Sequence, residues 1–402
     1  MKLLLVTMYW PPAGGGGVQR PLKFATHLPA LGIETHVLAP HDPKWVHEDA
    51  ELAPPSQAWV HRARFLGPGP RDAGGVALAV RRALVPDASV PWNLTAIPAA
   101  LRIARREGID VVLTTSPPGS VHLVGAAVKR ALGVPWVADL RDSLVAHPHR
   151  RSESALVRAK ERVGEVVARL VASRADAIVA AAESIAEEAR GLSPRGRVVT
   201  IPNGCDFDDF AGLEHRPAER FRITHAGSFF GKRDPRPFLT ALHESGLEDV
   251  VARFVGDFRA ADREWAERLG LGDRLELVPY VSRHRALELQ RDSEALLLLI
   301  PDAGGRGRGV LSGKVFEYLA AERPILAAVP PDGAAAALIR ETGAGVVAAP
   351  DDVPALREAL RGLHTRWRAR QLDGTPLAPE QRERLSRAAR AEELAELLRS
   401  LG

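Results

Sequence analysis

The chain has 402 residues, a formal net charge of +4 and 46% hydrophobic residues. This length exceeds the roughly 250 to 300 residues at which one hydrophobic core stops growing, so we expect two domains. The only cysteine is Cys205, which excludes an intrachain disulfide and a cysteine metal cluster. Because no apolar stretch reaches the roughly 18 residues that span a bilayer, and residues 3–6 lack a signal-peptide cleavage pattern, we expect a cytoplasmic protein.

Charge is unevenly distributed along the chain. The first 200 residues carry 25 Lys and Arg against 18 Asp and Glu, and the remainder carry 29 against 32. A basic half can face phosphate, anionic lipid or nucleic acid, and a solvated surface explains the excess equally well. Of these partners, we expect no nucleic acid. The cations Arg81, Arg82, Arg105 and Arg106 would favour a peripheral contact of the N-terminal domain with the inner membrane face.

Short apolar runs alternate with longer helical stretches from end to end. The runs that predict strands are residues 2–8, 35–39, 110–114, 135–140, 177–181, 198–202, 222–226, 252–256, 274–279, 295–300, 325–329 and 345–348. Nearly continuous apolar runs are typical of parallel strands that helices cover on both faces. The alternation predicts an α/β protein with two Rossmann-like doubly wound domains, facing each other across a cleft.

The turn dipeptide Asn203-Gly204 marks the predicted domain boundary, because it ends a strand and an irregular polar stretch follows it. We predict an N-terminal domain over residues 1–203 and a C-terminal domain over 204–378. The helical residues 379–402 are too short to stand alone and should pack back on one of the two domains.

A glycine run, Gly14 to Gly17, follows the first predicted strand and precedes a helix. Ligands of doubly wound sheets bind at the carboxyl ends of strands, and glycines let the backbone approach an anion beside a helix N-terminus. A flexible turn is the alternative. A dinucleotide fingerprint would need a third glycine at Gln19 and an acidic residue where the second strand ends in Ala39-Pro40, so NAD is disfavoured.

The second half supplies cations and a carboxylate in comparable positions. Lys232 and Arg233 follow the strand over residues 222–226 and could neutralise a diphosphate without a metal, although they could equally be solvated surface cations. Ser312 is a candidate N-cap for a helix over residues 314–321. On that helix, Glu317 could accept hydrogen bonds from two ribose hydroxyls, or it could be an ordinary surface glutamate.

Five segments in this order resemble the GT-B fold glycosyltransferases of family 4, and the resemblance covers nearly the whole chain. The segments are residues 9–17, 115–122, 135–142, 202–206 and 313–319. The resemblance implies transfer of a sugar from a nucleoside diphosphate sugar to an acceptor hydroxyl, with retention at the anomeric carbon and no essential metal or other cofactor.

The resemblance also implies which residues bind the donor, chiefly on the second domain. Lys232 and Arg233 would bind the diphosphate, Glu317 the ribose and Val281 the base. Further implied donor contacts are the amides of Ser312, Gly313 and Lys314, and Gly15, Gly16 and Gly17, which would close over the sugar and phosphates.

The chain departs from the family pattern at two places. Gly309 stands eight positions before Glu317, where the family commonly has an acidic residue that touches the donor sugar. Arg141 and Asp142 stand where many members have a histidine, and a related branch has an Arg-Asp pair there. We therefore predict Arg141 and Asp142 as active-site residues, with a buried ion pair at the strand end as the alternative. His122 is a candidate substrate contact or a capping or core histidine.

The sequence thus predicts a retaining glycosyltransferase of cell-surface polysaccharide, glycolipid or glycoconjugate synthesis, whose acceptor is a lipid-linked glycan, a polysaccharide or a small molecule. Two alternatives remain open. One is a nucleotide-sugar epimerase of GT-B fold, which needs no acceptor. The other is a nucleotide-sugar-binding protein without catalysis, which Gly309 makes conceivable.

Overall fold

The computed structural model describes residues 1–72, 74–144, 155–229 and 233–402. These residues form two compact units. The first, which we call the N-unit, holds the described residues up to Asn203 together with Arg387–Gly402. The second, the C-unit, holds the described residues of Gly204–Ser386.

The N-unit is built on a parallel sheet of seven strands in the order β3-β2-β1-β4-β5-β6-β7. Its strands are β1 (Lys2–Thr7), β2 (Glu34–His41), β3 (Ala58–Arg64), β4 (Val111–Ser116), β5 (Trp136–Leu140), β6 (Ala177–Ala180) and β7 (Arg197–Thr200). Its helices up to β7 are α1 (Gln19–His27), α2 (Gly75–Ala83), α3 (Asn93–Glu107), α4 (His122–Leu132), α5 (Ala155–Arg174) and α6 (Glu183–Gly191). Short 3-10 helices cover Leu28–Leu31, Val90–Trp92 and Gly119–Val121.

The C-unit repeats this plan with six parallel strands in the order β10-β9-β8-β11-β12-β13. Its strands are β8 (Phe221–Ala226), β9 (Val250–Val255), β10 (Leu275–Val278), β11 (Ala295–Leu299), β12 (Ile325–Ala328) and β13 (Gly345–Ala348). Its helices are α7 (Arg236–Glu244), α8 (Ala260–Arg268), α9 (Arg283–Arg291), α10 (Gly313–Ala321), α11 (Ala334–Thr342), α12 (Val353–Arg368) and α13 (Pro379–Arg384). Phe207–Phe210, Gly272–Arg274 and Arg306–Gly309 form 3-10 helices.

Both sheets are doubly wound, as the sequence predicts, and both reverse their strand order at one point. The reversal lies between β1 and β4 in the N-unit and between β8 and β11 in the C-unit. Ligands of such sheets bind outside the carboxyl ends of the strands at this switch point. The loop after β1 is the glycine run, and the chain after β11 leads into α10, so the predicted site segments lie at the two switch points.

The strand β3 is one that the sequence analysis missed. It pairs in parallel with β2 at the edge of the N-unit sheet, with Thr35 opposite Ala58 and His41 opposite Arg64. Most of its side chains are half-buried or exposed, and Trp59 is 62% exposed. An edge strand of this kind has no continuous apolar run, because only part of its surface is covered.

The last helix, α14 (Arg387–Arg399), belongs to the N-unit, whereas α13 belongs to the C-unit. Ala391, Leu394 and Leu398 are fully buried in the N-unit core. Arg399 also donates a hydrogen bond of 2.6 Å from Nη2 to the carbonyl of Leu31. Burial of an apolar helix face therefore holds the C-terminal segment on the N-unit.

Candidate functional site

The carboxyl end of β8 is tied to α10 through both backbone groups of Ala226. Its N–H donates a 2.8 Å hydrogen bond to the hydroxyl of Tyr318, and its carbonyl accepts one from Nζ of Lys314. Tyr318 is fully buried, and burial raises the pKa of its phenol. The helix α10 thus places the Lys314 ammonium across the end of β8, at the switch point of the C-unit.

Gly227, the next residue, makes room for this lysine. Its φ is +138°, a conformation that side-chain-bearing residues rarely adopt, and a Cβ there would overlap the Lys314 ammonium. Gly256, at the end of β9, lies equally close to the loop, since a Cβ there would lie 2.9 Å from the amide nitrogen of Ser228. Two glycines therefore allow the strand ends and Lys314 to approach each other.

Arg233 adds a second cation to this corner of the C-unit. Its side chain is buried, and Nη1 donates a 3.1 Å hydrogen bond to the carbonyl of Ser228. Burial and the nearby charge of Arg233 lower the pKa of Lys314 to about 8, although Glu317 opposes the shift. The pKa of the buried His225 also falls well below its usual value, through burial and the charges of Lys314 and Arg233. The corner has the electrostatic character of an anion site.

Glu317 lies one turn along α10 from Lys314, and each oxygen of its carboxylate accepts a hydrogen bond from a residue of α9. Its Oε2 accepts a 2.8 Å hydrogen bond from Nη1 of Arg283, and its Oε1 accepts one of 2.8 Å from Nε2 of Gln290. Burial alone would raise the pKa of Glu317, but Arg283 and Lys314 bring it below the usual value. The carboxylate is therefore ionised and acts only as an acceptor.

Arg283 is in turn anchored by carboxylates that precede β8. Its Nε and Nη2 donate to Oδ2 of Asp209 at 3.2 and 2.9 Å, and Nη2 lies 3.7 Å from Oδ2 of Asp206. Despite burial, the carboxylates of Glu317, Asp209 and Asp206 raise the pKa of this guanidinium. Asp206 and Asp209 thus serve as counter-charges of an arginine.

The structure brings together three of the predicted donor residues of the C-unit. Arg233, Lys314 and Glu317 converge, and Val281 is half-buried against the apolar core on which α10 packs. Lys232 lies outside the described residues. Gly309 ends the short 3-10 helix before α10.

The predicted helix α10 is confirmed to within one residue. The helix begins at Gly313, one residue earlier than predicted, and Ser312 occupies the N-cap position without a side-chain capping hydrogen bond. The resemblance implies a role for the amide of Lys314 only, whereas the structure places its ammonium at the end of β8. Arg283 and Gln290 were missed entirely, although a glutamate on the apolar helix α10 implies buried partners elsewhere.

In the N-unit, there is free space next to the backbone of the glycine run. Gly15 has φ +88°, and a Cβ at Gly15 or Gly16 would meet no atom within 4 Å. A Cβ at Gly17 would lie 3.2 Å from Cγ of Tyr9, whose ring stacks on Trp45 at 5.2 Å between centroids. The run therefore combines one left-handed turn with free space in which a ligand can approach the backbone.

Arg141 connects this run to the ends of two neighbouring strands. Its Nε donates a 2.6 Å hydrogen bond to the carbonyl of Ser116, and its Nη1 donates to the carbonyl of Gly17. Burial lowers the pKa of Arg141, against the charges of Asp139 and Asp142. The half-buried Asp142 follows it at the carboxyl end of β5. The structure thus places Arg141, Asp142 and the glycine run at the carboxyl ends of inner strands of the N-unit sheet.

The strand end does carry a buried ion pair, but its cation is Arg20 rather than Arg141. Nη2 of Arg20 lies 2.7 Å from Oδ1 of Asp139, and both side chains are almost completely buried. Thr115 donates a 2.6 Å hydrogen bond to Oδ2 of the same carboxylate. Arg20 also donates to the carbonyls of Ile201 and Pro202, at 2.9 and 3.0 Å. Asp139 is therefore fully engaged in holding α1 and two strand ends together.

His122 is buried in the core of the N-unit. Its Nδ1 lies 2.8 Å from Oγ1 of Thr114, which also accepts a 2.8 Å hydrogen bond from Nε1 of Trp136. Burial lowers the pKa of His122 to about 4. Of the alternatives for His122, burial favours the core histidine.

The chain was compared with known proteins by sequence and by fold. The sequence model of the glycosyl transferase 4-like domain matches residues 15–204. The matched residues make up most of the N-unit. None of the curated proteins compared with the chain matches it in sequence.

Solved structures cover the whole chain at low sequence identity. Sucrose-phosphate synthase of Thermosynechococcus elongatus is 16% identical with a TM-score of 0.69, and the match covers 100% of this chain and 98% of that one. A glycosyltransferase of Rickettsia africae is 12% identical with a TM-score of 0.67, over 100% and 98% of the two chains. HepE of Anabaena, solved in complex with UDP, is 16% identical with a TM-score of 0.66 over 100% of both.

These matches confirm the resemblance to the GT-B glycosyltransferases of family 4 and the fold that it implies. Glycosyltransferase is the enzyme class that the domain match supports. Among the described residues, no helix combines the length and the apolar character that crossing a bilayer requires.

Proposed function

We propose that this chain is a retaining glycosyltransferase that transfers a sugar from a nucleoside diphosphate sugar to an acceptor hydroxyl. The observation that carries the proposal is the convergence of Lys314, Arg233 and Glu317 at the end of β8. A buried arginine and a half-buried lysine suit a diphosphate, and an ionised carboxylate one helical turn away suits a ribose diol. HepE has also been solved with UDP-glucose, which supports this donor class and makes uridine nucleotides the first to test.

The proposed chemistry needs stabilisation of a leaving group. The bond between the anomeric carbon and the β-phosphate oxygen breaks, and its electron pair goes to the departing diphosphate. The acceptor oxygen forms the new bond on the same face of the sugar, and its proton passes to the leaving phosphate oxygen. Lys314 and Arg233 stabilise the charge that develops there, so the proposal requires no metal or other cofactor.

The acceptor is proposed to be a lipid-linked glycan, a polysaccharide or a small molecule, with the enzyme at the cytoplasmic membrane face. Two helices of the N-unit support peripheral attachment. No residue of α2 is buried, its Val76 is 80% exposed, and the exposed Arg82 lies in its last turn. On α3, Leu94 is 73% exposed and Arg105 is exposed in the last turn. Exposed apolar and cationic side chains together favour an anionic lipid surface.

A donor-only incubation separates the proposed transferase from an epimerase. We expect slow release of UDP and free sugar from one member of a panel of UDP-sugars, without an epimerised nucleotide sugar. Lys314→Met should slow this release about 100-fold, as loss of one charge-stabilising donor does in other enzymes. The control Arg285→Gln, on the exposed side of α9, should leave the rate unchanged. Accumulation of an epimerised donor would contradict transfer.

A further inference from the structure

We infer that Arg283 is the positioning residue that aligns the Glu317 carboxylate with the two hydroxyls of the donor ribose. This inference rests on the proposed function, in which Glu317 receives the ribose. Arg283 does not need to touch the nucleotide. It acts through the carboxylate, whose orientation it fixes from α9.

The geometry leaves Glu317 with a matched pair of vacant acceptor positions. Each carboxylate oxygen offers about two lone-pair directions. Arg283 occupies one on Oε2 and Gln290 occupies one on Oε1, both at 2.8 Å and both from α9. Among the described residues, one acceptor position therefore remains on each oxygen. Two adjacent hydroxyls, such as the 2′ and 3′ hydroxyls of a ribose, match this arrangement.

Arg283 can hold this orientation because it is itself immobilised. It is the first residue of α9, its side chain is only 16% exposed, and Asp209 binds two of its nitrogens. The guanidinium fork thus connects the 3-10 helix Phe207–Phe210, α9 and α10. A planar fork with fixed partners restricts rotation of the carboxylate more than a single point charge would.

Loss of Arg283 should alter specificity as well as affinity. Without this partner, the half-buried Glu317 is left with Lys314 as the other cation that lowers its pKa. The carboxylate would then turn towards Lys314 or take up a proton, and either change removes an acceptor from the ribose. The nucleotide would still bind through its diphosphate, but the 2′ and 3′ hydroxyls would contribute little.

Calorimetric titration of the full chain tests this inference. The probes are UDP, GDP and ADP, each with its 2′-deoxy and 3′-deoxy counterparts. For the nucleotide that binds best, wild type should prefer the ribose form by about ten-fold or more, the value of a hydrogen bond to a charged group. In Arg283→Gln this ratio should fall to about one to three, as in Glu317→Gln. Arg285→Gln, two residues along α9 and paired with Glu288 at the surface, should keep the wild-type ratio.

The preference for the ribose nucleotide over its deoxy counterparts, rather than the affinity itself, distinguishes a positioning role of Arg283 from a purely structural one. Arg283→Lys keeps the charge but cannot bind Glu317 and Asp209 with the same fork, so we expect an intermediate ratio from it. Thermal melting identifies which variants are folded. A wild-type ratio in every folded Arg283 variant, with the ratio lost in Glu317→Gln, overturns the inference while the proposed function stands. If wild type binds none of the three nucleotides, the proposed function itself fails.

Discussion

The ammonium of Lys314 donates a hydrogen bond to the carbonyl of Ala226, the last residue of β8. This contact places a lysine from the first turn of α10 at the switch point of the C-unit sheet, beside the buried Arg233. Because burial and Arg233 lower its pKa to about 8, Lys314 loses its proton within an accessible pH range.

Nucleotide affinity should therefore depend on pH above neutrality. As the pH rises from 7 to 9, Lys314 loses its charge in the free protein, and the affinity for UDP should fall about ten-fold. A bound diphosphate favours the protonated lysine, so binding near pH 8 should take up a proton. Titration in two buffers of different ionisation enthalpy measures this uptake. Lys314→Arg stays charged throughout and should show no such loss, and an equal loss in that variant would rule out Lys314 as its source.

Alanine substitutions in the glycine run of the N-unit should distinguish the effect of backbone strain on stability from the effect of a blocked substrate on activity. Gly15→Ala should destabilise the protein by about 1 kcal/mol, because its φ of +88° is unfavourable for alanine. Gly16→Ala has free space around the new methyl and should leave the melting temperature unchanged. If the run contacts substrate, Gly16→Ala should still lower kcat/KM at least ten-fold. Gly191→Ala, equally unobstructed at the end of α6, is the matched control. Unchanged kcat/KM in Gly16→Ala would show that substrate does not approach there.

The buried His122 should make the protein sensitive to acid. Its pKa of about 4 in the folded state lies below the ordinary 6.5, so the unfolded chain takes up the proton first as the pH falls. Stability is then complete above about pH 6.5 and is lost as the pH falls towards 4. Between pH 7.5 and pH 5 the loss should be about 2 kcal/mol.

Urea unfolding of His122→Phe at pH 7.5 and pH 5 measures this contribution. The variant should lose about 2 kcal/mol less than wild type over the same interval. Donor hydrolysis by the folded variant should stay within a few-fold of wild type. A large fall in kcat at unchanged stability would instead make His122 a catalytic residue.

The Arg20–Asp139 pair should be one of the main polar determinants of N-unit stability. Asp139→Asn leaves a buried guanidinium without its counter-charge, which should cost about 3 to 5 kcal/mol of unfolding free energy. Glu165→Gln breaks the exposed pair with Arg169 on α5 and should cost less than about 1 kcal/mol. Chemical unfolding measures both. Equal effects of the two substitutions would mean that the buried pair is not stabilising.

The fold is well predicted from the sequence because its strands are marked by runs of neighbouring apolar residues. Runs such as Val111-Val112-Leu113 are buried on both faces of a parallel sheet, so apolar composition alone identifies them. At the edge of the sheet this signal disappears. There β3 is held by backbone pairing with β2, which side-chain composition does not report.

The candidate site is predictable only in part, for a related reason. Arg233 is recognisable because it follows a predicted strand, and Glu317 because it lies on a predicted helix. Their partners are not, since Arg283 lies 34 residues from Glu317 along the chain, and Arg20 lies 119 residues from Asp139. Such pairs form because burying one charge requires another, and only the folded backbone determines which side chain is near enough.

One titration tests the central claim most directly, namely that the C-unit binds a nucleoside diphosphate through Lys314, Arg233 and Glu317. UDP, GDP and ADP are titrated at pH 7 into wild type, Arg233→Met and the control Arg285→Gln. At least one nucleotide should bind wild type and the control with a micromolar Kd, and Arg233→Met should bind it at least ten-fold more weakly. Absence of binding by all three nucleotides, or equal affinity in Arg233→Met, would contradict the claim.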